Sequence, residues 1–168
     1  DQPWDLSEQN ATELALLHNL LGVLAIRDRD GTEARHRFRM AHSVPNAHHH
    51  AYGLVRLNEA FLALTERRTA DAARAFAEGR DILGRASQTP LTGRLMVLEA
   101  LIAWQAGDVA RADQILRESM ITPGTEIEPH FYLSRMAADR GDTATARAEL
   151  IMAHIAARLD KHYAALAH

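Results

Sequence analysis

The sequence predicts an all-α chain of about four helix pairs, and three observations carry that expectation. Composition is the first: 47% of the residues are apolar but only 5% aromatic, alanine is the commonest residue, and glycine and proline number 9 and 5. Such a composition suits close-packed helices and leaves little for a sheet. The second is periodicity, because apolar residues recur at spacings of three and four from Leu14 to Leu166, the signature of a helix face. The third is repetition. A small, large, small pattern occurs as Ala34/Phe38/Ala41, Ala72/Phe76/Gly79, Ala112/Leu116/Ser119 and Ala146/Leu150/Ala153, with anchors 38, 40 and 34 residues apart. A period of this length marks a helical array, in which the small residue admits a neighbouring helix and the large one fills the space between pairs.

Taken in order, residues 1–11 read as an extended lead-in, with Ser7 or Asn10 placed to cap the first helix. The pairs follow at about 12–46, 51–86, 91–124 and 127–158. Breaks stand at Asp30-Gly31, Val44-Pro45, Thr89-Pro90, Ala106-Gly107-Asp108, Thr122-Pro123-Gly124 and Arg140-Gly141-Asp142, cutting the chain into seven or eight helices. Near the end the stripe Ile151, Ile155, Leu159, Tyr163, Leu166 runs on without a breaker, so the last helix should reach about 24 residues, with 159–168 its final part. A terminal helix with an apolar face either caps the array, pairs with a second copy of the chain, or continues into further repeats. Capping is the simplest of these.

Composition also bounds function. The absence of cysteine excludes disulfides, thiolate metal sites, iron–sulfur clusters and a catalytic thiol. A net charge of −3, with 24% of residues charged, leaves no basic excess for a nucleic-acid backbone or an anionic membrane. No window approaches the roughly 18 consecutive apolar residues of a membrane span, so neither nucleic acid nor membrane insertion is expected. The opening Asp1-Gln2-Pro3-Trp4 has neither an initiator methionine nor an apolar signal region and reads as the start of a mature or trimmed fragment. The compartment stays open between cytoplasm and periplasm.

Ten histidines invite a metal reading, centred on His48-His49-His50 with His36 and His42 nearby. Zinc needs converging ligands, whereas consecutive residues on a helix point about 100° apart. With no HExxH pattern present, the run reads as a solvated helix start and no metal is expected. Glu59 and Glu99 hold equivalent first-helix positions; two carboxylates there suit acid/base chemistry, half a metal site or, more simply, pairing with arginines such as Arg56 or Arg94. Ser43, Ser87, Ser119 and Ser134 lack a GxSxG or SxxK context, and no glycine-rich phosphate loop occurs. No catalytic residue, no cofactor and no free-standing enzyme are expected.

At Gly22, Ala34, Phe38, Ala41 and Pro45, and at the turns running from Gly107 to Ala112 and from Gly141 to Ala146, the chain resembles the tetratricopeptide repeat superfamily. Its departures are Ala60, Ala100 and Ser134 at the position of Gly22, and two spacings longer than the family's 34-residue period. The resemblance covers about residues 12–158. It implies a right-handed superhelix of helix pairs whose first helices line a concave groove, and it says more about fold than about function. Carried over position by position, it implies a partner-binding surface that includes Val23, Arg27, Leu57, Phe61, Leu64, Arg94, Val97, Leu101, Trp104, Phe131 and Arg135. Phe61, Leu64, Leu101 and Trp104 would form its apolar middle, edged by Arg27, Arg94 and Arg135. Such a groove suits an amphipathic helix or extended peptide with acidic flanks; otherwise Trp4 and the lead-in, or the last helix, fill it from within. The family's clamp for chaperone tails falls on Asn19, Val23, Asn58, Arg94 and Leu98, of which only Asn58 and Arg94 match, so those tails are not the expected ligand.

The function this resemblance implies is a non-enzymatic scaffold that binds a protein or peptide partner in its groove, in a bacterial multiprotein assembly. A second reading is a helical appendage or sensor domain of a larger enzyme or regulator. The long spacings resemble the arrays of large bacterial transcriptional regulators. Residues 51–168 also loosely resemble the repeat block of some bacterial periplasmic zinc metalloproteases, through Tyr52-Gly53-Leu54 and the helix pair from Pro129 to Leu150.

Overall fold

Segments whose apolar residues fall three and four apart hold a helix mainly by burying that one face. In the computed structural model, which describes residues 7–84, 92–120 and 127–166, they form α1 (Glu8–Arg27), α2 (Gly31–Ser43), α3 (His49–Thr65), α4 (Thr69–Gly84), α5 (Thr92–Gln105), α6 (Val109–Ser119), α7 (Ile127–Asp139) and α8 (Thr143–Leu166). The fold is all-helical, with no strand among the described residues. Ser7 rather than Asn10 caps α1, its side chain accepting the Asn10 N–H as an N-cap serine should. The last helix runs 24 residues. Trp4, Ser87, Thr89-Pro90, Thr122-Pro123-Gly124 and the side chains of Leu159, Tyr163 and Leu166 lie outside the described residues.

The helices form two compact units, Asp1–Gln88 and Thr89–His168. In the first, α1 packs on α2 and α3 on α4, with α3 also lying against α1 and α2. In the second, α5 packs on α6 and α7 on α8, and α6 meets α7.

One turn joins the two helices of every pair. The N–H groups of Asp30, Arg68, Asp108 and Asp142 donate to the carbonyls of Ala25, Ala63, Ala103 and Ala137, at 2.9, 2.8, 2.9 and 3.0 Å. The residue just before each donor is left-handed: Arg29, Arg67, Gly107 and Gly141 have φ of 62°, 59°, 91° and 77°. This geometry satisfies the orphan carbonyls at a helix end. Asp30, Asp108 and Asp142 then cap the second helix by accepting the N–H of Glu33, Arg111 and Thr145. Arg68 takes the aspartate's place in the second pair. That turn, built without glycine, proline or aspartate, leaves no break signal in the sequence, although the backbone follows the same path.

Within each unit the small, large, small pattern becomes the joint between its two pairs. In the first unit, Phe38 of α2 is fully buried with Ala25, Ala34, Ala41, Val55 and Leu62, so its ring joins the α1–α2 pair to α3. Leu116 of α6 does the same in the second unit, among Ala112, Leu133 and Met136. Leu150 departs from the expected interior role. It is 52% exposed because no further described helix pair packs over α8, and the place that α3 takes over Phe38 has no counterpart there.

Candidate functional site

The residues expected to line a groove separate by depth. Leu57, Leu64 and Val97 are buried, which corrects their assignment to an open surface. Leu57 and Leu64 lie three before and four after the fully buried Ala60, and Val97 lies three before the fully buried Ala100. Residues at those spacings share a helix face, and here it is the inward one. Leu101 and Trp104 of α5 are half-buried against the core of the second unit, and Val23 is half-buried on α1. Phe61 on α3 and Phe131 on α7 are exposed, at 37% and 43%. Arg27, Arg94 and Arg135 are exposed as well, with Arg135 one turn beyond Phe131 on the same face of α7.

The polar positions are engaged within the fold. Asn58 Nδ2 donates to Asn19 Oδ1 at 2.9 Å, tying α3 to α1, so this clamp-like asparagine already has a partner. Glu59 accepts from Arg56 at 2.8 Å and from His42 Nε2 at 3.2 Å. Burial opposes its ionisation, but the hydrogen bond and charge of His42 together with Arg56 outweigh that and hold its carboxyl below the ordinary range. Glu99 pairs with Arg111 at 2.8 Å rather than with Arg94. Ser43, Ser119 and Ser134 donate their hydroxyls to the carbonyls of Met40, Leu116 and Ala146.

The histidine run begins α3. His48 caps the helix, its Nδ1 accepting the His50 N–H at 3.2 Å, while His48 and His49 are exposed. Among the described residues no group of three or more His, Asp or Glu is placed to hold a metal ion. A further histidine contact, like that of His42, escaped the sequence reading. His130 Nδ1 of α7 donates to Glu149 Oε2 of α8 at 2.7 Å, and Arg117 of α6 reaches Glu149 Oε1 at 3.5 Å, so one carboxylate ties three helices.

Among the described residues, α8 and α1 each carry an open apolar surface. On α8, Leu150, Ile151 and Ile155 are exposed, and Leu150 and Ile151 line a cleft with Phe131, Tyr132, Arg147 and His154. The stripe on this helix was legible in the sequence. The other surface was not: Leu17, Leu20 and Leu24 are exposed along α1. Periodicity alone places such leucines inside. The signal that finds them is repeat register, since Leu17 and Leu24 correspond to Val55 and Leu62 of α3.

The described residues therefore define an all-helical protein built of helix pairs that leave apolar surfaces exposed. No protein-family model, curated protein or solved structure matches the chain. No described helix is long and apolar enough to cross a membrane.

Proposed function

We propose that the chain is a non-enzymatic, tetratricopeptide-like scaffold that seats a peptide or helix of a protein partner on the first-helix faces of either unit. The observation that supports it is the exposure of Phe61 and Phe131 on α3 and α7. Exposed aromatics are the usual anchors of an interface. Arg135, one turn from Phe131 and exposed, adds a positive group that favours an acidic flank on the ligand. The engaged side chains of Glu59 and Glu99 favour a binding role over a chemical one, because each already has an intramolecular partner.

The test is capture of partners from native lysate by the chain and by a Phe61→Ala/Phe131→Ala variant, with bound proteins identified by mass spectrometry. Both side chains are exposed, so the variant should keep its helicity. Trp104 is a poorer choice because it packs on a core. A protein captured by the parent and lost from the folded variant supports the scaffold; equal capture by both overturns it.

A further inference from the structure

We propose that the chain associates head to tail with copies of itself, the outer face of α8 in one copy receiving α1 of the next. The argument starts from a joint the fold already contains. In the first unit Phe38 of α2 is buried against Val55 and Leu62 of α3, and Arg35 of α2 pairs with Glu66 at the end of α3. The shared turn fixes the register of the repeats. In that register Phe38 and Arg35 correspond to Leu150 and Arg147 of α8, while Val55, Leu62 and Glu66 correspond to Leu17, Leu24 and Asp28 of α1 and its cap.

The chain thus carries both halves of this joint unjoined. Phe38 and Val55 are fully buried, whereas Leu150, Leu17 and Leu24 are 52%, 51% and 38% exposed. Leu20, at the position from which Asn58 reaches α1, extends the α1 half, while Ile151 and Ile155 lie beside the α8 half, at the positions of Arg39 and Ser43. Contiguous exposed apolar area of this kind marks an association surface. Charge agrees with the pairing: Arg147 borders the α8 half and Asp28 the α1 half, as Arg35 and Glu66 do in the formed joint. The existing Arg27–Asp28 contact is 3.7 Å long and highly exposed, so it competes weakly. One contact is not reproduced, because Leu21 stands where Glu59 meets His42.

Because the two halves differ, the contact is heterologous and each association leaves a free α8 face and a free α1 face. The parent chain should therefore rise in weight-average mass with concentration and pass beyond a dimer in sedimentation equilibrium. Leu150→Arg and Leu17→Arg should each be monomeric alone. Mixed, they should form a one-to-one complex and nothing larger, since the first variant keeps an intact α1 and the second an intact α8. That recovery also shows that both variants are folded. Arg147→Asp and Asp28→Arg should each weaken association, and mixing the two should restore growth beyond a dimer, because opposite charges then meet at both contacts between the variants. A parent chain that stays monomeric overturns the proposal, and so does a Leu17→Arg variant that dimerises like the parent, which would mean that two α8 faces meet each other.

Discussion

The ring of Phe38 occupies the space that a β-carbon on Gly22 would need. This contact lets α1 and α2 close around a fully buried aromatic, and it makes glycine at position 22 a steric requirement. Gly22→Ala should gain about 1 kcal/mol from helix propensity and lose more to overpacking, for a net destabilisation of about 1–2 kcal/mol. The urea midpoint should fall with an unchanged slope. The third pair has Ala100 and Leu116 at these two positions, so adding Phe38→Leu should recover part of the loss. A midpoint that does not fall would show that the ring shifts freely.

Arg67 and Gly107 hold the same turn with φ of 59° and 91°, but only glycine adopts that conformation without cost. A left-handed non-glycine residue is strained by roughly 1–2 kcal/mol, partly offset by the greater unfolded-state entropy of glycine. Arg67→Gly should therefore stabilise the chain by about 0.5–1 kcal/mol, and Gly107→Ala should destabilise it by a similar amount. Thermal denaturation of the two variants beside the parent checks both signs. A fall in melting temperature for Arg67→Gly would mean that the arginine side chain contributes more than its backbone costs.

What the sequence disclosed follows from the same turn. Where glycine and aspartate build it, at Gly107-Asp108 and Gly141-Asp142, the break was plain. Where Arg67 and Arg68 build it, the hydrogen bonds are the same but no residue announces them, because tertiary packing supplies what propensity lacks. The long last helix and its apolar stripe were legible for the reason that nothing interrupts them. Depth was not. Leu57 and Leu64 fall on positions that line a groove by resemblance, yet they share the buried face of Ala60, and only packing decides which side of a mostly apolar helix turns outward. The cross-helix partners of Glu59, Glu99 and Glu149 were hidden too, since a pairing over 12 to 32 residues depends on how helices meet.

Glu59 makes stability depend on pH. Its folded carboxyl titrates below the ordinary value of 4.5, as the bonds and charges of His42 and Arg56 overcome its burial. A depressed carboxylate contributes stability that is fully present above its unfolded value and is lost as pH falls through the folded one. The difference in unfolding free energy between the parent and Glu59→Gln should therefore be present above pH 4.5 and shrink as pH falls below it. Glu66 and Asp71 are also shifted down, by Arg68 and neighbouring arginines acting against burial, but both remain in the variant and cancel in the difference. A gap between the two proteins that stays constant through the acid range would remove Glu59 from the account.

Glu149 offers a choice between two interactions that look alike on paper. Its contact with His130 is 2.7 Å long, with side chains only 16% and 12% exposed; its contact with Arg117 is 3.5 Å long, and that guanidinium is half exposed and already held by Asp113. Length and solvent screening both favour the histidine. A hydrogen bond to a charged, poorly solvated group is worth about 1.5–3 kcal/mol, whereas an exposed ion pair contributes roughly 0–1 kcal/mol. A double-mutant cycle on His130→Ala and Glu149→Ala should return a coupling of about 1–2 kcal/mol, and the same cycle with Arg117→Ala should return less than about 0.5 kcal/mol. Glu149→Ala alone should destabilise by more than Arg117→Ala alone, because it also deprives the half-buried His130 ring of its acceptor. If the arginine cycle gave the larger coupling, α6 rather than α7 would be what this carboxylate holds to α8.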